Sequence, residues 1–268
     1  MFPYFTLFGR DLGLYPIMVL CGIFSAGIYA CYIAKKFEYD YSDLIIFLLI
    51  ISIGVVVGSH LLYTIVNYKN FIYVLDNIKK IDTFKKFFNI LNYLFGGSVF
   101  YGGLIGGIIV GYVISKKDSK YLKFFDIGFT SIPLFHFFGR IGCFLGGCCY
   151  GIRNKIGFMY TINPILEANG VKRFPIQIVE AIFNIALFLF LNHLLCHKKM
   201  KNKISYVYLS IYSIGRFFIE YFRGDVYRGI WRSLSTSQII SILIIFGLII
   251  RLYYINKKTS KRPCRDAP

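Results

Sequence analysis

Seven apolar stretches of about bilayer length, at about 14–34, 43–66, 98–115, 122–145, 175–196, 204–222 and 237–255, leave this chain few folds to choose from. Roughly 20 helical residues cross about 30 Å of hydrocarbon. A backbone in oil must pair every N–H and C=O internally, which selects helices. Only 16% of the 268 residues are charged, against about 25% in soluble domains. A soluble helical core is therefore excluded. The predicted fold is an all-α polytopic membrane protein of about seven transmembrane helices with a small extracytoplasmic head region. It forms a single domain over 1–268.

The net charge of +18 would point a soluble protein to nucleic acid. Here the lysines cluster between apolar stretches, where anionic inner-leaflet lipid attracts them, so no nucleic-acid partner is expected. Lys35-Lys36, Lys116-Lys117 with Lys120 and Lys123, Lys198-Lys199 with Lys201 and Lys203, and Lys257-Lys258 with Lys261 and Arg262 mark one side as cytoplasmic. The expected topology has the N-terminus outside and a cytoplasmic C-terminal tail at about 256–268. The outer-side loops fall at about 67–97, 146–174 and 223–236, and the first is expected to hold an interfacial amphipathic helix. The first apolar run has no small-residue cleavage pattern after it and is read as a retained helix. The seven cysteines form no paired C-x-x-C motif, so no metal site is expected and Cys148-Cys149 is read chiefly as small-residue packing.

Three constellations carry chemistry. In the third stretch Gly103, Gly107 and Gly111 recur every fourth residue. They either pack a neighbouring helix, or Gly102-Gly103 opens the backbone to a ligand with Tyr101 aimed at it. The fourth stretch ends "FFGRIGCFLGGCCYG", residues 137–151. Arg140 there costs about 3 kcal/mol if central and must pair with an acid or line a wet cavity. Its fork suits phosphate oxygens, and Gly142 and Gly151 thin the side chains around it. The sixth stretch carries Tyr212, Arg216, Glu220 and Arg223 at spacings of four, four and three, one polar stripe on an apolar helix. Glu220 can hold Arg216 or Arg223 and leave the other fork free. Gln177, Glu180 and Asn184 form a weaker stripe, for interhelical hydrogen bonding or ligand contact. His60, Tyr63 and Asn67 are read as structural. Two outer-side arginines on different helices can clamp one lipid phosphate, so the residues point to an enzyme or carrier of an anionic lipid head group.

The blocks "FYGGLIG" (100–106), "HFFGRIGCF" (136–144), "FPIQIVE" (174–180), "YSIGRFFIEYFRGD" (212–225) and "STSQIIS" (235–241) resemble, in order, the signatures of the bacterial prolipoprotein diacylglyceryl transferases. The resemblance covers most of the chain from the third stretch onward. It implies seven membrane helices, the plasma membrane, and no cofactor. The implied reaction moves the diacylglyceryl group of phosphatidylglycerol to the lipobox cysteine thiol of a precursor protein and releases glycerol-1-phosphate. It implies Arg140 and Arg216 as phosphate-binding arginines. Tyr15, Gly151, Tyr212 and Glu220 fall on important family positions, and Asp126 lands on another. Tyr101 stands where the family usually has His, and Cys143, Gly146 and Cys148 replace two Asn and a Glu. A relative passing the same lipid group to a glycan or other acceptor is the alternative. A lipid or anion transporter would show two matching halves, and none is visible.

Overall fold

The computed structural model describes residues 4–7, 10–76, 83, 86, 89–90, 94, 97–163, 165–197, 203–225, 230–231 and 233–260. A hairpin of β1 (Tyr4–Leu7) and β2 (Arg10–Gly13) leads into α1 (Leu14–Lys36), α2 (Tyr41–Val66) and the short α3 (Tyr68–Asp76). Then come α4 (Phe100–Lys117), α5 (Lys123–Gly146), the antiparallel pair β3 (Arg153–Met159) and β4 (Lys172–Arg173), α6 (Ile176–Cys196) and α7 (Ile204–Ile219). The hairpin β5 (Ile230–Trp231) and β6 (Leu234–Ser235) precedes α8 (Thr236–Ser260).

Each apolar stretch is helical over most of its length. Five helical segments are long and apolar enough to cross a membrane: Leu14–Lys36, Tyr41–Val66, Ser119–Gly146, Ile176–Cys196 and Thr236–Tyr254. The other two are α4, whose 18 residues just reach spanning length, and α7, with 16. Sixteen residues rise about 24 Å, less than the hydrocarbon thickness. Glycines dilute α4, and a 3-10 turn at Glu220–Phe222 takes over from α7. Of the lysine-rich loop expected near 67–97, α3 is the only long described piece; residues 77–82 and Lys198 to Asn202 lie outside the described residues.

Large apolar side chains face outward: Phe24 is 65% exposed, Leu49 63% and Phe246 61%. Polar groups face inward, among them Gln177, Glu180, Asn184, Arg216, Glu220, Gln238 and Ser241. Water would penalise such a surface; lipid does not. The protein is an all-α polytopic membrane protein.

The chain divides into two compact units, Cys31–Phe125 and Met1–Ala30 with Asp126–Pro268. In the first, α2 and α4 meet through glycine. A Cβ on Gly106 would lie 2.1 Å from the carbonyl oxygen of Gly54, and one on Gly102 2.3 Å from that of Gly58. Only glycine permits such approach. Gly103 and Gly107 add contacts to Val55, and Gly111 faces Ile51 and Phe125. Gly102 and Gly103 thus face α2; the expected opening to a ligand gives way to helix packing. His60 Nδ1 meets the Gly97 carbonyl at 2.8 Å, and Asn67 Nδ2 donates to the Tyr63 carbonyl at 2.9 Å, which makes that stripe structural as expected.

In the second unit, α1 lies along α5 at Gly22, against Phe135 and Phe138. Tyr29 donates to Asn192 Oδ1 at 2.9 Å, tying α1 to α6. Gly215 of α7 admits the Phe183 ring of α6. The Ser235 hydroxyl accepts from Gln238 N at 3.2 Å while Gln238 Oε1 accepts from Ser235 N at 2.9 Å. This reciprocal capping box starts α8. Gln238 Nε2 also donates to the Phe217 carbonyl at 3.3 Å, which ties α8 to α7.

Candidate functional site

Antiparallel neighbours bring the end of α5, the start of α6, the end of α7 and the start of α8 to one end of this unit. There the charged residues meet. Glu180 Oε2 pairs with Arg140 Nε, and Glu180 Oε1 with Arg216 Nη1 at 2.5 Å. Arg216 Nη2 reaches Glu220 Oε2 at 2.5 Å and donates to Ser237 Oγ at 3.4 Å. Arg223 Nη1 lies 3.6 Å from Glu220 Oε2, while its Nε and Nη2 close on Asp225 at 2.9 and 2.6 Å. Three arginines and three carboxylates therefore alternate in one array, and it is almost wholly buried: Glu180 is 3% exposed, Glu220 2% and Arg216 5%. Buried charges persist only when paired in this way.

The expectation that Glu220 would leave one fork free is corrected. It meets both Arg216 and Arg223, and the fork of Arg223 is taken by Asp225. Glu180, read as a weak ligand candidate, joins Arg140 to Arg216 instead. Its two oxygens are one carboxylate apart, which brings the two guanidiniums together from different helices. Arg140 is held through Nε by Glu180, and no second carboxylate pairs with it among the described residues.

Around the array, His136 hydrogen-bonds Asn184 and its ring lies 5.5 Å from that of Tyr212. Tyr15, at the start of α1, packs on Gly142, where a Cβ would come within 3.2 Å of its ring. Gln177 donates to the Cys148 carbonyl at 2.8 Å and the Tyr160 hydroxyl at 3.3 Å, so its amide fastens the loop after α5. Gly151 is pinned where three strands of chain cross. Its Cβ would lie 2.2 Å from the Phe174 carbonyl oxygen, and Gly224 N donates to Tyr150 O at 2.9 Å. Asp126 sits fourteen residues before Arg140 on α5, about 21 Å away along the axis, at the opposite end of that helix. Tyr101 belongs to the other unit, buried at the start of α4 with its ring 5.8 Å from Phe100.

Sequence reading missed three features. Asp225 and Ser237 complete the array. A cavity of about 600 Å³, lined by Tyr150, Arg153, Glu167 and Arg173 among others, opens in the head beside Gly224. Cys143, Cys148 and Cys149, read chiefly as packing, bring their Sγ atoms within 4.8 Å of one another. Hydrogen bonds from Cys143 and Cys148 hold the Cys149 thiol below the usual range, helped by Arg223 and Arg140. The Cys148 thiol moves the other way. Its hydrogen bond with Cys143 pulls it down, but that with Cys149 and burial push it up to about 12.

Fold and site together define a polytopic membrane protein with an array of paired arginines and carboxylates at one end of its helices, guanidinium chemistry suited to an anionic lipid head group. The profile of the prolipoprotein diacylglyceryl transferases matches residues 3–254. Among curated proteins, the chain is 37% identical over 255 residues to a phosphatidylglycerol–prolipoprotein diacylglyceryl transferase of Clostridium tetani, covering 94% of this chain and 95% of the relative. It is 35% identical to such a transferase of Clostridium perfringens (96% and 95% covered) and 31% identical to that of Clostridioides difficile (95% of each). The chain belongs to the prolipoprotein diacylglyceryl transferase family.

Proposed function

We propose that this protein transfers the diacylglyceryl group of phosphatidylglycerol to the lipobox cysteine thiol of prolipoproteins and releases glycerol-1-phosphate. The observation that carries the proposal is the convergence of Arg140 and Arg216 on Glu180. Relatives named for this activity, matched over almost their whole length, support it.

In this reading Glu180 fixes both guanidiniums before the lipid arrives. The remaining donors of Arg140 and Arg216 take the phosphodiester oxygens. As the acceptor sulfur attacks the glyceryl carbon, negative charge grows on the departing phosphate. Preorganised cations in a low-dielectric site stabilise that charge, typically the largest catalytic term. Glu220 and Arg223 hold Arg216 in place, while Tyr15, Gly142, Gly151, Gln177 and Tyr212 shape the surroundings. The whole of 1–268 acts as one domain in the bacterial plasma membrane, with the N-terminus outside and the C-terminus cytoplasmic. The partners are phosphatidylglycerol, lipobox-containing precursors and the surrounding membrane lipid.

Expression in a strain depleted of its own transferase tests this. Restored lipoprotein processing, with loss in Arg140→Lys, is the expected result. An expressed, membrane-inserted protein that leaves precursors unmodified, yet consumes phosphatidylglycerol with another acceptor, would overturn it.

A further inference from the structure

The three clustered thiols lie beside the arginine array. Cys143 follows Arg140 by three residues on α5, and so shares its face. Both Arg140 and Arg223 act electrostatically on Cys149. The chain is bent to gather these sulfurs. After α5 ends, Gly147 takes φ +70° and Cys149 φ +52°. Cys148 N donates to the Cys143 carbonyl at 3.1 Å, and Gln177 clasps the Cys148 carbonyl. A non-glycine residue in the left-handed region costs about 1–2 kcal/mol. A glycine at 149 would adopt this backbone without that cost. All three cysteines are free thiols, with Cys143 buried and the other two half-buried.

We propose that Cys143, Cys148 and Cys149 bind a zinc ion as three thiolates and present its fourth coordination position to the acceptor's cysteine thiol. The proposal rests on the transferase reading above. Zinc–sulfur bonds of about 2.3 Å in a tetrahedron place sulfurs about 3.8 Å apart. Sulfurs already within 4.8 Å of one another reach that spacing by side-chain rotation. Three protein ligands with one position open is the arrangement of a reactive zinc site. The charge also fits. A zinc tris-thiolate of charge −1 sits next to the guanidiniums of Arg140 and Arg223, both of which act on the Cys149 sulfur.

Such a site answers a chemical need. A free thiol with a pKa of about 8.5 is only a few per cent thiolate at neutral pH. Glu180, Glu220 and Asp225 are all engaged with arginines, and His136 is bonded to Asn184. A coordinated thiol loses its proton outright. In the proposed step that proton passes to water as the acceptor sulfur binds zinc. The sulfur's electron pair then forms the carbon–sulfur bond to the glyceryl carbon. The carbon–oxygen bond breaks, and its pair leaves with glycerol phosphate against the arginines.

The full-length protein, purified in detergent without chelator, tests this. Elemental analysis should find about one zinc per chain. Cobalt titrated into stripped protein should give sulfur-to-cobalt charge-transfer bands, lost in Cys143→Ser, Cys148→Ser and Cys149→Ser variants that keep wild-type elution and helicity. A lipobox peptide should change the cobalt spectrum, and its Cys→Ser analogue should not. Stripping should lower thioether formation from phosphatidylglycerol at least tenfold, and zinc should restore it. Wild-type protein with neither bound zinc nor charge-transfer bands, or stripped protein at full turnover, overturns the metal site and leaves the transferase reading standing. Zinc-loaded protein that makes no thioether overturns the transferase reading, and the acceptor role with it.

Discussion

Glu180→Gln is the most informative single change, because one buried carboxylate serves two guanidiniums. Arg216 keeps Glu220 at 2.5 Å and Ser237 at 3.4 Å. Arg140 loses the one carboxylate that grips its Nε. The loss therefore counts as one buried pair broken, about 3–5 kcal/mol. The glutamine oxygen still accepts a hydrogen bond and recovers about 1 kcal/mol. For a chain of this size each kcal/mol moves the melting temperature by about 2–4 °C, so the variant should melt on the order of 10 °C lower in detergent. A phosphodiester can supply the missing negative charge. Phosphatidylglycerol added to the micelles should therefore raise the melting temperature of the variant more than that of the wild type, and phosphatidylcholine should not. A ligand at a hundred times its Kd stabilises by about 2.7 kcal/mol, enough to recover most of the deficit. A Glu180→Gln protein melting within about 2 °C of wild type, or responding equally to both lipids, would refute the view that Arg140 and Arg216 form an anion site held by Glu180.

Arg140→Lys and Arg216→Lys should each cut thioether formation by about a hundredfold or more, since an ammonium cannot reproduce the fork; near-wild-type turnover of either removes that residue from the phosphate. Arg223→Lys should cost less than tenfold in the same assay, and a loss matching that of Arg140→Lys would place Arg223 on the phosphate after all. Tyr101→Phe should stay within about tenfold of wild type, and a dead variant would make the phenol essential. Gly106→Leu should disrupt the packing of α2 on α4, because its Cβ would lie 2.1 Å from the Gly54 carbonyl oxygen. Limited proteolysis reads the change, and Gly27→Leu, with nothing within 4 Å, should be silent.

The helices were legible because hydrophobic length is a one-dimensional property. Roughly 20 apolar residues announce a span without reference to any partner. Arg140, Arg216 and Glu220 stood out for the same reason, as charges where oil forbids them. Pairing was not legible. Nothing in the spacing of Gln177, Glu180 and Asn184 says that Glu180 turns to two arginines while Gln177 turns to the Cys148 carbonyl. The glycines show the limit from the other side. Gly103, Gly107 and Gly111 form the regular row, yet the tightest approach is made by Gly102 and Gly106 against Gly54 and Gly58. A helix presents several rows of four, and only the partner selects one. The thiol cluster was hidden by a rule that looks for paired C-x-x-C. Here a left-handed cysteine after a helix end gathers a vicinal pair onto a third residue one turn back.

How the forks are used separates the roles of the arginines. Arg223 gives both Nε and Nη2 to Asp225, a bidentate grip that satisfies the planar edge facing it. An arginine spent in this way braces its neighbours, and Glu220, which it touches, braces Arg216 in turn. Arg140 is held by Glu180 alone among the described carboxylates, which orients the plane and leaves it without a second partner charge. If the array were only glue, apolar residues of similar volume would serve as well or better, because desolvating ion pairs costs about as much as their attraction returns. A membrane interior makes that alternative cheaper still. Retaining six buried or half-buried charges, with Arg140 left to a single carboxylate, makes sense when an incoming anion completes the set, and a lipid phosphodiester brings one negative charge, an ester bond to break and a tail already at home among these helices.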